Sequence, residues 1–234
     1  RYKDLFQIFP CDMENMPISK AQKHHPNILE YWTIDDEIIK SPIEFEGLQD
    51  IFDKTATQLT KQDRILTLLS TFTNNLFFRY TDLSGTWGMP LLTDDPGEEA
   101  NTWSSKWCLK MYHSPDLPRQ FKIDKFSDQK IHDIERIPHR MFYTYEPDLD
   151  SDSQKVITFP ITIDHLFNAY YSLEPTIASY IDTACSYIVS AIELHNTRKT
   201  LSLLSSFTSM ETMVNLEYKN VEGEKCESCG QLKY

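Results

Sequence analysis

The chain has 234 residues, 40% hydrophobic and 12% aromatic, which is ample for a packed core of one large or two small domains and excludes a disordered polypeptide. Lys and Arg total 23 against 35 Asp and Glu, and the resulting formal charge of −12 repels polyanions at long range, so broad coating of nucleic acid is disfavoured while a local basic groove stays open. The longest apolar stretches, such as 187–191, fall far short of the roughly 20 residues that span a bilayer, and the polar opening at Arg1 lacks a signal-peptide run.

Residues 1–46 show no helical period. Extended pieces such as 28–34 stand between Pro10, Pro17, Pro26 and Pro42, and read as edge strands and loops. From Gly47 onward Leu48, Ile51, Phe52, Thr55 and Leu59 recur at helical spacing. A second helix is expected from Thr60, with Thr60 and Asp63 as its N-terminal capping pattern and Ile65, Leu66, Leu69, Phe72, Leu76 and Phe77 as its apolar stripe. Gly85, Gly88, Pro90, Pro96 and Gly97 make 80–100 a loop. In 101–160, the segments 103–112 and 141–145 are aromatic and extended in character, 126–137 forms a short helix ended by Pro138, and 156–163 is a β-branched run that Pro160 confines to an edge or bulge.

The C-terminal part is the most regular. A short helix over 164–172 precedes a longer one in which Pro175 takes a first-turn position, where its missing N–H costs nothing. Ile177, Tyr180, Ile181, Ala184, Ile188, Ala191 and Ile192 place one face inward, and after Asn196 and Thr197 a last helix carries Leu201, Leu204, Phe207, Met210, Val214 and Leu216 at the same period. The two long helices are expected to pack antiparallel.

Of the five cysteines, Cys11, Cys108 and Cys185 stand in dissimilar contexts, and only Cys226 and Cys229 form a spaced pair, a usage that fits a reducing cytosol. Cys226-Glu227-Ser228-Cys229-Gly230 has the spacing of a zinc knuckle, because two intervening residues let both sulfurs reach one tetrahedral ion. It supplies two of four ligands and reads as half of a zinc site, completed downstream or by another chain. A redox pair or two ordinary thiols are the alternatives. With no second pair following, and with no initiator Met, the chain reads as part of a longer polypeptide.

Other constellations carry blander readings. Asp148, Asp150 and Asp152 resemble the start of a calcium loop, but the sixth position is Ser153 and the twelfth Phe159, so an acidic turn is expected. His132, Glu135 and His139 would share a helical face as metal ligands, were it not that Pro138 interrupts them. His24 and His25 read as a loop pair, and Asp94, Asp95, Glu98 and Glu99 as a solvated surface. Trp87, Trp103, Trp107, Tyr112 and Tyr143 either line a groove or, more simply, pack a core. Ser84-Gly85 lacks the glycine of a nucleophile elbow, and no Gly-rich phosphate loop exists, so nucleophilic catalysis finds no support.

The segment 198–213, with Ser209-Met210-Glu211 inside it, the preceding helix over 184–194 and the Cys226-x-x-Cys229-Gly230 turn together resemble the opening of bacterial HEPN domains of the ApeA-like kind. The resemblance covers about 50 residues and implies an intracellular, often dimeric helical module associated with RNA cleavage or defence systems. Active members carry an Arg followed four to six residues later by His. Here Arg136 and His139 are separated by three and lie outside the helical region, so no catalytic residue carries over.

The expectation is therefore an α+β protein: a mixed domain over 1–160, a helical hairpin over 161–220 that begins a longer helical domain, and a Cys-pair tail over 221–234. Its expected role is a cytoplasmic, non-catalytic sensor or interaction module, which binds a protein partner or itself through the C-terminal helices. The alternative is a nuclease or metal-dependent enzyme whose site is completed after residue 234. A third reading is a small-ligand site lined by Trp87, Trp103 and Trp107.

Overall fold

The structure is a computed structural model that describes residues 1–10, 27–33, 38–42, 46–79, 85–86, 110–111, 123, 125–128, 134–143, 158–218, 224–225, 228–229 and 232–233. The α+β class holds. In chain order the elements are β1 (Phe6–Pro10), β2 (Asn27–Tyr31), α1 (Gln49–Thr73), β3 (Gly85–Thr86), β4 (Lys110–Met111), β5 (Arg136–Ile137), α2 (His139–Phe142), β6 (Phe159–Pro160), α3 (Ile163–Tyr171), α4 (Pro175–Leu194), α5 (Lys199–Glu217), β7 (Glu224–Lys225) and β8 (Leu232–Lys233). They pair as β1–β2, β3–β4, β5–β6 and β7–β8. The chain divides into two units: residues 1–62, 78–136 and 150–159, and residues 63–77, 137–149 and 160–234.

The first unit is built on the antiparallel β1–β2 pair, in register from Phe6↔Tyr31 to Pro10↔Asn27. Side chains alternate across the pleat, so Phe9 and Ile28 meet on one face with Gln7 and Glu30 beside them, all four buried. A buried polar pair needs its hydrogen bonds completed. Gln7 Nε2 donates to Glu30 and, at 3.0 Å, to the Ser127 carbonyl; the Ser127 N–H donates to Glu30 at 2.9 Å, and its hydroxyl donates to the other carboxyl oxygen. Next to this cluster Trp32 packs on Phe126 with ring centroids 5.2 Å apart, and the Arg1 guanidinium lies 4.7 Å over the same Phe126 ring. Phe126 is thus a buried anchor in non-helical chain, and residues 136–137 are a strand, so the expected helix over 126–137 does not form where the chain is described.

The helix expected to break at Thr60 is instead continuous over Gln49–Thr73. Neither Gly nor Pro falls within it, and a Thr/Asp pattern caps only a turn whose N–H groups are still unsatisfied. Its inward positions in the first unit are Asp53 and Thr57, while Leu48, Ile51 and Leu59 are exposed, the reverse of the apolar face that their spacing predicts. Asp53 accepts from Lys40 Nζ at 2.7 Å, the Ser41 N–H at 2.8 Å and Gln49 Nε2 at 2.8 Å. Its hydrogen bond to the Lys40 ammonium, with those from Ser41 and Gln49, holds the carboxyl down at about 2. One turn on, the Thr57 hydroxyl accepts from the Ile39 N–H at 2.9 Å. Polar docking of 39–41 thus decides which side of these first turns faces inward.

In the second unit Ile65 and Leu69 of the same helix are buried as expected, together with Leu68, which the expected stripe left out, while Leu76 and Phe77 of that stripe fall after the helix ends at Thr73. The helix stops where Asn74 adopts φ +54, a left-handed conformation that Asn tolerates. The buried Ser70 hydroxyl accepts from the Phe77 N–H at 2.8 Å and so folds the chain back after the helix. Phe72 meets Phe167 of α3 edge-on at 5.2 Å. Met141 and Phe142, expected to be extended, lie in the short helix α2, directly behind Pro138. The helix expected over 164–172 spans Ile163–Tyr171, and Pro175 opens α4 at a first-turn position as expected.

Candidate functional site

The C-terminal hairpin of α4 and α5 reverses through 195–198 and packs in a way that the apolar period does not foretell. Every third or fourth position of α5 from Ser202 is small and hydroxylic: Ser202, Ser206 and Ser209 stand at i, i+4 and i+7. On α4, Ala184, Ile188 and Ala191 follow the same spacing. Ser202 donates to the Ala191 carbonyl at 2.7 Å and Ser209 to the Ala184 carbonyl at 2.8 Å, so one register serves both ends of an antiparallel pair. A hydroxyl reaches a neighbouring helix's backbone only when small side chains on both helices let the axes come close.

Burying the serines turns the long side chains outward. Ser202 and Ser209 are 8% and 5% exposed, whereas Leu203, Phe207, Met210 and Val214 are 58%, 57%, 61% and 49% exposed. Leu201 and Leu204, expected inward with Phe207, Met210 and Val214, are exposed as well. On α4 the sequence reading fares better: Ala184, Ala191 and Ile192 are buried as expected, and only Ile177 of that set is exposed. The outer surface of α5 is thus a contiguous apolar stripe, flanked by few charges, on a helix fixed from behind by two inter-helix hydroxyl bonds.

The inner side of α4 carries a second polar cluster. Asp182 accepts from Tyr170 Oη at 2.5 Å and from Arg64 Nε at 3.1 Å. Burial first, and then the bond to Asp182, push the Tyr170 phenol well above its ordinary range, so it stays protonated and donating. Burial likewise raises the Cys185 thiol, which makes it a poor nucleophile and metal ligand. These groups clamp helices together.

No known family model, curated protein or solved structure matches this chain. What it does therefore has to be read from its own surfaces.

The metal-ligand candidates fare unevenly. Cys226 lies outside the described residues, whereas Cys229 is described, exposed and not in a disulfide. The motif is bracketed by the antiparallel strands β7 and β8, which pair Glu224 with Lys233 and Lys225 with Leu232. Among the described residues no group of three or more His, Cys, Asp or Glu stands close enough to hold a metal ion. His132 lies outside the described residues. Glu135 is in extended chain, its carbonyl accepting the Phe159 N–H at 2.9 Å, while His139 opens α2 with its Nδ1 2.7 Å from the Thr162 hydroxyl. Pro138 between them ends the strand and starts the helix, so these two do not share a helical face.

Tyr143 donates to the Phe72 carbonyl at 2.6 Å, and burial pushes its phenol up to about 12, so it packs against α1. Trp87, Trp103, Trp107 and Tyr112, the acidic turn at 148–152, His24 and His25, and the carboxylates at 94–99 all lie outside the described residues. Among the described residues no helix is long and apolar enough to cross a membrane.

Sequence reasoning missed the inward serines. The signal was present as Ser202 and Ser209 seven residues apart on one helix and Ala184 and Ala191 seven apart on the helix before it. It was hidden because leucine, phenylalanine and methionine recur at an equally good period on the opposite side.

Proposed function

We propose that this chain is a non-catalytic sensor or interaction module whose C-terminal helices carry assembly with a protein partner. The observation that supports this reading is the apolar outer stripe of α5. Contiguous exposed apolar patches beyond a few hundred Å2 are rare on proteins that act alone and mark association surfaces. The polar clusters around Glu30, Asp53 and Asp182 hydrogen-bond within the fold and favour a structural role over chemistry. The resemblance of 198–213 to ApeA-like HEPN domains points the same way, toward an intracellular helical module that works in assemblies. The test is affinity capture with the 234-residue chain and with a Phe207→Glu/Met210→Glu variant: the reading predicts partners, a second copy included, that bind the first and not the second. Equal binding by both would overturn it.

A second reading rests on a different observation, the β7–β8 pairing that brackets the cysteine motif. In this reading Cys226 and Cys229 donate two thiolates to a zinc ion whose other ligands come from sequence after residue 234 or from another chain, as part of a nuclease or other metal-dependent enzyme. The protein's own part is to supply both thiolates from the segment between β7 and β8. Zinc content of protein purified without chelator, compared with a Cys226→Ser/Cys229→Ser variant, tests the site. Equal zinc in the two preparations would rule it out.

A further inference from the structure

Resting on the assembly reading above, we propose that a second copy of this chain covers α5, the two α5 helices packing antiparallel about a two-fold axis that passes between Phe207 and Met210. Three observations carry this choice of occupant. The first is spacing. Leu203, Phe207, Met210 and Val214 follow one another at intervals of four, three and four, the seam of a two-stranded helical packing, on a helix of 19 residues.

The second is area. The six exposed side chains Leu203, Leu204, Phe207, Met210, Met213 and Val214, each about half exposed, present an apolar patch on the order of 500 Å2 per copy. Two copies would bury roughly 1,000 Å2, the lower bound of a specific interface and the size of a reversible dimer. Because α5 is already fixed to α4 through Ser202 and Ser209, little ordering opposes association.

The third is the order of charges beside the seam. Lys199 lies one turn before Leu203 and Glu217 lies one turn after Val214 on the same flank. A two-fold axis between Phe207 and Met210 pairs Leu203 with Val214 and sets each Lys199 about one residue from level with the other copy's Glu217. The two ends of the interface then each gain a pair of opposite charges. A parallel arrangement would instead leave each Lys199 and the other copy's Glu217 at opposite ends of the paired helices, so that neither end gains an opposite-charge pair. A rim holding both signs in self-complementary order selects a second copy over a foreign basic partner, which the net charge of −12 alone would favour.

The decisive experiment is sedimentation equilibrium of the 234-residue chain between about 5 and 100 µM, on the parent and on Lys199→Glu, Glu217→Lys, the combination of the two, and Phe207→Glu/Met210→Glu. The proposal expects a monomer–dimer equilibrium. Each single charge reversal should weaken it by about 3- to 10-fold in Kd, the combination should return it to within about twofold of the parent, and Phe207→Glu/Met210→Glu should abolish it. Circular dichroism should be unchanged in all of them, since every substituted side chain is exposed. A parent that stays monomeric at 100 µM overturns the second copy as occupant and leaves α5 to another polypeptide, with the assembly reading intact. A dimer insensitive to Phe207→Glu/Met210→Glu places association elsewhere and overturns the seam. A dimer lost on that change but not rescued by the combined reversal keeps α5 and refutes the antiparallel register.

Discussion

Replacing Ser209 by leucine separates the observed packing of α5 from the packing that its apolar period predicts. Ser209 is buried against α4, and its hydroxyl donates to the Ala184 carbonyl. Ser209→Ala removes that bond while the carbonyl keeps its place in the helix ladder, so it should cost about 0.5–1.5 kcal/mol. Ser202→Ala should cost about the same, and the pair should add, because the sites share no partner and lie roughly 10 Å apart along the helix. Ser209→Leu forces three further carbons between close helices, for about 1–3 kcal/mol of overpacking beyond the lost bond. The order of stability should be parent, Ser209→Ala, Ser209→Leu, with melting temperature falling about 2–4 °C per kcal/mol for a chain of this size. If α5 instead turned its Leu and Phe stripe inward, position 209 would face solvent, and leucine, the better helix former, would be neutral or slightly stabilising. Urea unfolding followed by circular dichroism, at one low protein concentration, reads the sign directly. A Ser209→Leu variant as stable as the parent, together with a Phe207→Ala variant destabilised by more than about 2 kcal/mol, would refute the serine-in arrangement.

Three further outcomes are expected. Leu68, fully buried in α1, should cost about 2–5 kcal/mol when cut to alanine, measured by the same unfolding curves, whereas the exposed Leu48→Ala should change little. The Asp53 carboxyl is depressed from 3.8 to about 2 in the folded chain, so it binds fewer protons folded than unfolded; its stabilisation is present above about pH 4 and is lost as pH falls toward 2. Thermal melts of the parent and Asp53→Asn should differ by a constant amount at neutral pH and converge across that acid window, and a difference that persists at pH 2 would contradict the ion-pair origin. The Cys185 thiol, buried and raised, should react with a thiol reagent far more slowly than the exposed Cys229, a contrast that alkylation with mass mapping measures and that denaturant should erase.

Secondary structure was legible where one period dominated. The start of the extended piece over 28–34, the stripe of Ile65 and Leu69, and the Pro175 start of α4 all follow from local chemistry, and the structure has a strand over Asn27–Tyr31 and a helix in the other two places. Facing was much less legible. Leu48, Ile51 and Leu59 predict an apolar inner side for the start of α1, yet Asp53 and Thr57 are buried there because they bind the chain over 39–41, a long-range contact that no window of the sequence contains. The same is true of α5, where two periods compete and the partner helix, not propensity, decides between them. Thr60 failed as a cap for a simpler reason: the helix had already begun. The Cys226 and Cys229 motif was visible at once from spacing, and the structure adds the strand pairing on either side of it.

The cluster of Gln7, Glu30 and Ser127 has a consequence for how this sequence can drift. The three residues lie up to 120 positions apart, and each satisfies polar atoms of the others inside the fold. Changing Glu30 alone to an apolar residue takes from the Gln7 amide one of its two acceptors and from Ser127 the acceptor of its N–H and hydroxyl, and changing Gln7 alone strips the carboxyl group of a donor, so each single step is harmful where the joint change to packed apolar residues is nearly neutral. Related chains should therefore keep the trio or replace it together, and substitutions at position 127 should track those at 7 and 30.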